Sequence, residues 1–175
     1  MMYRNYLLDT NILGHMADLR AGGNSSAAQA LDRHLKALPE GTKLHLCPVS
    51  VGEVEYGLRI APYKDQKKHD QARSILSAFE CLPIDINTAQ DQYAELRARL
   101  FNECAPKEKR NRENDKKRVE EWMDPTTSKQ LQIQENDLWI AAVAMAYNLI
   151  LVTDDKMAVI KRIAGIDITF ENWLI

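Results

Sequence analysis

The stretch Asn136-Asp137-Leu138-Trp139-Ile140-Ala141-Ala142-Val143-Ala144-Met145-Ala146-Tyr147-Asn148-Leu149-Ile150-Leu151-Val152-Thr153-Asp154-Asp155 decides the fold. From Leu138 to Tyr147 the side chains are apolar nearly all round and rich in alanine, which predicts a helix buried on every side and packed close to its neighbours. From Leu149 to Thr153 the apolar run is continuous, as in a strand covered on both faces of a parallel sheet. The run ends on Asp154-Asp155. A buried helix feeding a buried strand is the repeating unit of an α/β fold, and acids at the carboxyl end of such a strand stand where these folds assemble sites.

The same alternation extends in both directions. Tyr6-Leu7-Leu8 predicts a first strand that runs into Asp9, and Leu31, Leu35 and Leu38 share one face of a helix. Leu44 to Cys47 predicts a second strand, Pro48 breaks it, and Ser50 is expected to open a helix through Val54 and Leu58. Asp65 caps a helix with Ala72, Ile75, Leu76 and Phe79 inward; Leu82 to Ile84 predict a short strand; Thr88 caps a helix with Tyr93, Leu96 and Leu100 inward. A helix through Val159 and Ile163 and a strand over Ile166 to Phe170 close the chain. The expected fold is a three-layer α/β/α sandwich with a mostly parallel central sheet. Residues 1–175 read as a single domain, a length that buries most of its apolar surface without staples.

One segment departs from the alternation. Residues 106–130 hold few apolar side chains, with seven basic against three acidic residues between Lys107 and Arg118, and read as a charged surface insertion. Lysines and arginines there can meet nucleic-acid phosphates, although interleaved Glu108, Glu113 and Asp115 also fit a solvated face. The net charge of −2 excludes neither an acidic nor a basic partner. Cys47, Cys81 and Cys104 form no C-x-x-C pair and read as buried small hydrophobes of a reducing cytosol. His15, His34, His45 and His69 have no ligand spacing. No apolar run approaches a membrane span, so a cytoplasmic protein without membrane contact is expected.

Four acids share one rule of placement. Asp9, Glu53, Asp137 and Asp155 each stand where a strand gives way or a helix begins. Each has a plain structural reading. Asp9 suits an Asx turn, Glu53 completes the S-x-x-E capping box from Ser50, Asp137 favours a helix N-terminus, and Asp154 or Asp155 can cap the next helix. Together they make a different argument, because two carboxylates about 5 Å apart repel by about 3 kcal/mol at an effective dielectric of 20. A cluster therefore calls for a cation, and carboxylates without histidine or cysteine suit Mg²⁺ or Mn²⁺. Glu55, two positions beyond Glu53, is expected to face away.

The four motifs Leu7-Leu8-Asp9-Thr10-Asn11, Ser50-Val51-Gly52-Glu53-Val54-Glu55-Tyr56-Gly57, Asn136-Asp137-Leu138-Trp139-Ile140-Ala141-Ala142 and Val152-Thr153-Asp154-Asp155, in this order, resemble a PIN domain. More narrowly they resemble the VapC-type toxins of toxin–antitoxin pairs, whose usual ending is matched by Asn172-Trp173. The resemblance implies a Mg²⁺- or Mn²⁺-dependent endoribonuclease, with Asp9, Glu53, Asp137 and Asp155 as metal-holding catalytic acids and Asp154 as the alternative fourth. It assigns supporting roles to Thr10, Asn11, Asn136 and Thr153. It also implies an RNA substrate, a small cognate antitoxin and a homodimer. The alternatives are a non-catalytic RNA- or protein-binding module, in which the acids are caps only, and a phosphohydrolase of small nucleotides, against which stands the lack of a glycine-rich phosphate loop.

Overall fold

The computed structural model describes residues 4–63, 65–105 and 118–175. Its centre is a five-stranded parallel sheet in the order β3-β2-β1-β6-β7. The strands are β1 (Tyr6–Leu8), β2 (Leu44–Leu46), β3 (Glu80–Cys81), β6 (Ile150–Val152) and β7 (Thr169–Glu171). Between them run α1 (Thr10–Arg20), α2 (Ser26–Ala37), α3 (Pro48–Ile60), α4 (Gln66–Leu76), α5 (Ala94–Cys104), α6 (Glu135–Ala146) and α7 (Ala158–Ala164). A short antiparallel hairpin, β4 (Met123–Asp124) with β5 (Lys129–Gln130), stands apart from the sheet.

Strand pleating divides the interior into two cores, one per face, as expected for a three-layer sandwich. Leu7, Cys47 and Leu151 point toward α5, α6 and α7, where Leu96, Leu100, Leu138, Ile140 and Ile160 pack on them. Tyr6, Leu8, Leu46 and Val152 point the other way, toward Ile12, Leu13, Leu31, Ile75 and Trp173. The chain builds β1, β2 and β3 outward on one side and returns to place β6 and β7 on the other. The order therefore reverses between β1 and β6, and the crevice at the carboxyl ends of those strands is the place where an open parallel sheet binds ligands.

Several expected boundaries shift for identifiable reasons. The helix expected to start at Ser50 starts at Pro48, whose fixed φ and missing N–H suit a first helical position, with Cys47 before it and no side-chain cap. Ser50 thus lies inside the first turn, its Oγ 3.5 Å from Cys47 Sγ, and the capping box with Glu53 does not form. The third strand is Glu80–Cys81 rather than Leu82 to Ile84, because the pairing closes when the Leu82 N–H donates to the Leu46 carbonyl and Pro83 follows without a donor. Cys81, expected to be buried, is exposed on this edge strand, while Cys47 and Cys104 are buried. Thr88 does not cap; Asp85 accepts from its N–H at 2.8 Å and its hydroxyl at 2.9 Å, and Thr88–Tyr93 is a π-helical turn leading into α5. Asp65 does cap α4, accepting from the Lys68 N–H. Ile166 is fully exposed in the turn after α7, where Gly165 reverses the chain at φ +58°, so the last strand begins only at Thr169.

The cluster from Lys107 to Lys117 lies outside the described residues. The chain after it is anchored in the core: Val119, Trp122, Leu131 and Ile133 are buried with α5 and α6. Trp122 lies in the core at 3% exposure, its ring in a T-shaped pair with Phe101. Trp139, expected in the core, is half-buried and stacks on Tyr93 with ring centroids 3.7 Å apart. No helix among the described residues is long and apolar enough to cross a membrane.

Candidate metal and nucleic-acid site

Asp9 is the residue after β1, and each of its carboxylate oxygens accepts one hydrogen bond. Oδ1 accepts from the Thr10 N–H at 2.7 Å, and Oδ2 accepts from the Thr153 hydroxyl at 2.7 Å across the β1–β6 boundary. The Asx turn, which would need the N–H two residues on, is not what forms: Asp9 is instead the N-cap of α1, bonding the next N–H at the base of the crevice, and is 3% exposed. Burial pushes its pKa up to about 6; the Thr153 and Thr10 hydrogen bonds oppose the rise and the nearby Asp155 and Glu53 add to it.

Glu53 projects from the second turn of α3 toward this point. The Thr10 hydroxyl donates to its Oε2, and Asn136 Nδ2 donates to its Oε1 at 2.7 Å. Both donors begin other helices, so three elements meet on one carboxylate. Asp137 sits in the first turn of α6, where its Oδ2 accepts the Gln134 N–H at 2.6 Å in a capping box. Its pKa is also raised to about 6, by burial first and then by Asp9, Asp155 and Glu53, with the Gln134 bond opposing. The first turn of α6 is pinned from behind by Glu135, which accepts from the Tyr93 hydroxyl and from Arg97.

The two aspartates after β6 separate cleanly. Asp154 accepts from Asn172 Nδ2 at 2.9 Å, whereas Asp155 lines the crevice with Asp9, Glu53 and Asp137. The Asp155 N–H donates to Thr153 Oγ at 3.0 Å, and Asn11 bridges to Thr153 Oγ and the Asp154 N–H at 3.4 Å each. Glu55 faces away as expected, but in an ion pair with Arg73 at 2.8 Å that ties α3 to α4.

These acids open onto a cavity of about 1190 Å³. Its other walls hold Tyr56, which lies in the second motif without a role assigned there, and residues outside the motifs: the acids Glu120 and Asp124, Lys129 and Lys156, and the glutamines Gln130, Gln132 and Gln134. The alternation Gln130-Leu131-Gln132-Ile133-Gln134 is the sequence signal for this wall, since Leu131 and Ile133 are buried and the three glutamines are exposed.

The donor set fits a hard divalent cation. It is made of carboxylates alone, and two of them, Asp9 and Asp137, are raised to about 6 by burial first and then by neighbouring carboxylates, a conflict that a bound cation relieves. Among the described residues no three Asp, Glu, His or Cys side chains already converge as a direct ligand set.

The PIN-domain family model matches residues 6–166. Among solved structures, the chain is similar to VapBC2 from Rickettsia felis bound to a DNA fragment from its promoter, at 23% identity and a TM-score of 0.65, covering 97% of this chain and 98% of that one. It is similar also to FitAcB from Neisseria gonorrhoeae, at 24% identity and a TM-score of 0.63, covering 96% and 97%. A third likeness is to VapBC-5 from Mycobacterium tuberculosis, a member of the VapBC family of toxin–antitoxin systems, at 19% identity and a TM-score of 0.59, covering 96% and 98%. At these identities the likeness is one of fold. No curated protein matches the chain. With the family model spanning nearly every described element and the five-stranded parallel sheet in place, the chain belongs to the PIN-domain family.

Proposed function

We propose that the chain is a Mg²⁺- or Mn²⁺-dependent endoribonuclease acting as the toxin of a toxin–antitoxin pair. The observation that carries this reading is the meeting of Asp9, Glu53, Asp137 and Asp155 on one cavity at the β1–β6 switch point.

Asp9, Glu53, Asp137 and Asp155 would hold the ion, directly or through water. When bound, it supplies charge stabilisation for the phosphoryl group and an acidified water at neutral pH. The chain's own part is orientation. Thr153 and the Thr10 N–H hold both oxygens of Asp9, and Thr10 and Asn136 hold both oxygens of Glu53, so neither carboxylate has to reorganise as charge develops. Asn11 and Thr153 fix the turn that presents Asp155. Hydrolysis would leave a 3′-hydroxyl and a 5′-phosphate, and no protein nucleophile takes part.

The likeness to VapBC and FitAcB assemblies supports an antitoxin partner. In this proposal the antitoxin is small, its tail enters the acidic cavity, and the toxin is a cytoplasmic homodimer. The test is cleavage of total RNA by antitoxin-free protein with Mg²⁺, Mn²⁺ or chelator, beside the Asp9→Asn variant. Discrete metal-dependent fragments that vanish in the variant are expected. Fragments that persist equally in variant and chelator would sink the reading in favour of a binding module.

A further inference from the structure

At the amino ends of β2 and β3, the opposite edge of the sheet from the acids, two buried polar atoms have no partner. Thr42 lies two residues before β2 and His45 lies within it, at 6% exposure. Among the described residues, neither Thr42 Oγ nor His45 Nδ1 makes a hydrogen bond, and neither atom is open to solvent. Orphaned polar atoms at such depth are rare and call for a physical account. Both residues line one cavity of about 480 Å³, the size of a small-molecule site, which shares no residue with the acidic crevice.

The floor of this cavity is apolar, with Leu35 and Leu38 from the end of α2 and Phe79 before β3 half-buried against the core. Lys43 and Glu80 add two opposite charges. Glu80 pairs with His45 in the β2–β3 register, and its Oε2 lies 3.4 Å from Nδ1 without hydrogen-bond geometry. Burial holds the imidazole pKa below the usual histidine value, with Glu80 opposing and Lys43 adding to the fall, so the ring is neutral near pH 7 and keeps an acceptor nitrogen. Lys43 forms no ion pair with a described carboxylate. The walls are fixed by the backbone: the Thr42 N–H donates to the Pro39 carbonyl at 3.1 Å, the Lys43 N–H to Asn5 Oδ1 at 3.4 Å, and the Leu82 N–H to the Leu46 carbonyl at 2.8 Å.

An ammonium group carries three N–H donors, and the Glu80 carboxylate, His45 Nδ1 and Thr42 Oγ are three acceptors lining one cavity. Lys43 supplies the opposite charge, and the leucines and Phe79 suit an apolar body. A simple amine leaves Lys43 unanswered, and a simple acid sets its charge against Glu80. From this placement we infer that the cavity binds a free α-amino acid with an apolar side chain. Its ammonium meets Glu80, His45 and Thr42, its carboxylate meets Lys43, and its side chain lies on Leu35, Leu38 and Phe79. The site stands apart from the nuclease reading, since none of the four acids takes part in it.

The test is titration of the full chain with L-leucine, followed by the ¹H–¹³C signals of the His45 ring, which are identified by their loss in His45→Gln. Saturable movement with a dissociation constant of about 1 mM or tighter is expected. 3-Methylbutylamine, which lacks the carboxylate, and 4-methylpentanoate, which lacks the ammonium, are each expected to bind about tenfold more weakly or worse. Glu80→Gln changes a side chain that is 66% exposed and leaves the core alone. It and Lys43→Gln are each expected to weaken leucine binding about tenfold, and Thr42→Val, which keeps the shape, about fivefold. Absence of saturable movement would leave the cavity to ordered water and overturn the proposal. Leucine affinity unchanged in Glu80→Gln and Lys43→Gln overturns it as well, as does binding of the amine or the acid alone as tightly as leucine.

Discussion

Thr153 Oγ donates to Asp9 Oδ2 at 2.7 Å, joining the carboxyl ends of two adjacent parallel strands 144 residues apart. Both residues are buried, and the same hydroxyl accepts the Asp155 N–H at 3.0 Å. One side chain thus orients the acid at the base of the cavity and the turn that carries another.

Thr153→Val keeps the shape and β-branching of the residue and removes the donor. A buried carboxylate oxygen then loses its partner, at a cost of about 1–3 kcal/mol. Thermal denaturation at pH 7 should show a melting temperature lower by several degrees, and Mg²⁺ titration should show weaker binding because Asp9 is less firmly oriented. Equal melting temperatures would mean that water replaces the hydroxyl without loss.

Asp9 and Asp137 each contribute to the pH dependence of the metal-free protein. Both have folded pKa values of about 6, above the ordinary 3.8, so the folded chain holds their protons more tightly than the unfolded one. The sign follows from linkage: the destabilisation is absent below pH 4, grows as pH rises from about 4 to about 6, and is complete above that. For Asp9 it reaches about 3 kcal/mol at pH 7, taking 1.36 kcal/mol per unit. In chelator, Asp9→Asn should therefore melt about 5 °C or more above wild type at pH 7, and the gap should close at pH 4. Added Mg²⁺ should raise the wild type more than the variant. A gap that does not change with pH would show that Asp9 is not the group concerned.

Asn136 reaches across from α6 to hold Oε1 of Glu53 on α3. Asn136→Ala leaves the capping box of Gln134 and Asp137 intact, so the melting temperature should move little. Cleavage or metal affinity should fall by about 10- to 100-fold, the usual effect of removing a residue that orients a metal-holding carboxylate. Asn136→Asp would be worse, since it sets a carboxylate against Glu53. Steady-state cleavage and Mn²⁺ titration of the three proteins decide the point.

What the sequence revealed and what it concealed divides along the range of the interactions. Leu149 to Thr153 and the alanine-rich helix before it were legible because an element buried on all sides needs no polar face, and that pattern is local. Asp9, Asp137 and Asp155 stood out because each adjoins such a pattern, whereas Glu53 lies in the second turn of a helix whose only buried residue is Ser50. Glu53 was ambiguous for as long as only Ser50 was considered, and the ambiguity ended with Thr10 and Asn136, which come from elsewhere in the chain. The choice between Asp154 and Asp155 likewise depended on Asn172, which draws Asp154 away. The hairpin wall was hidden by composition: polar residues dominate 118–130, and only the buried Val119 and Trp122 reveal that it belongs to the core.

Glu55 provides a control for Glu53 on the same helix. Its carboxylate accepts from Arg73 Nε at 2.8 Å and Nη2 at 3.1 Å, and the two Arg73 hydrogen bonds hold its pKa below the usual glutamate range. Glu55→Gln should leave metal titration and cleavage as in wild type, with a small, salt-sensitive loss in melting temperature. Glu53→Gln should abolish metal-dependent cleavage. If the two substitutions act alike on metal binding, α3 presents its acids differently from the structure described above.

Trp122 tests whether the hairpin wall is part of the fold. Its ring lies under the Arg97 guanidinium at 5.7 Å and against Phe101, while its Nε1 is buried with no partner among the described residues. Trp122→Ala empties a large core site and should cost about 3–5 kcal/mol. Trp122→Phe keeps an aromatic body and removes the unsatisfied donor, and leaving such a donor buried costs about 1–3 kcal/mol, so its loss should be far smaller or close to nil. Urea denaturation of both variants gives the comparison. Equal, severe losses would mean that Nε1 is satisfied by water and the indole itself is required, whereas two negligible losses would detach the hairpin from the core and with it the cavity wall that carries Lys129.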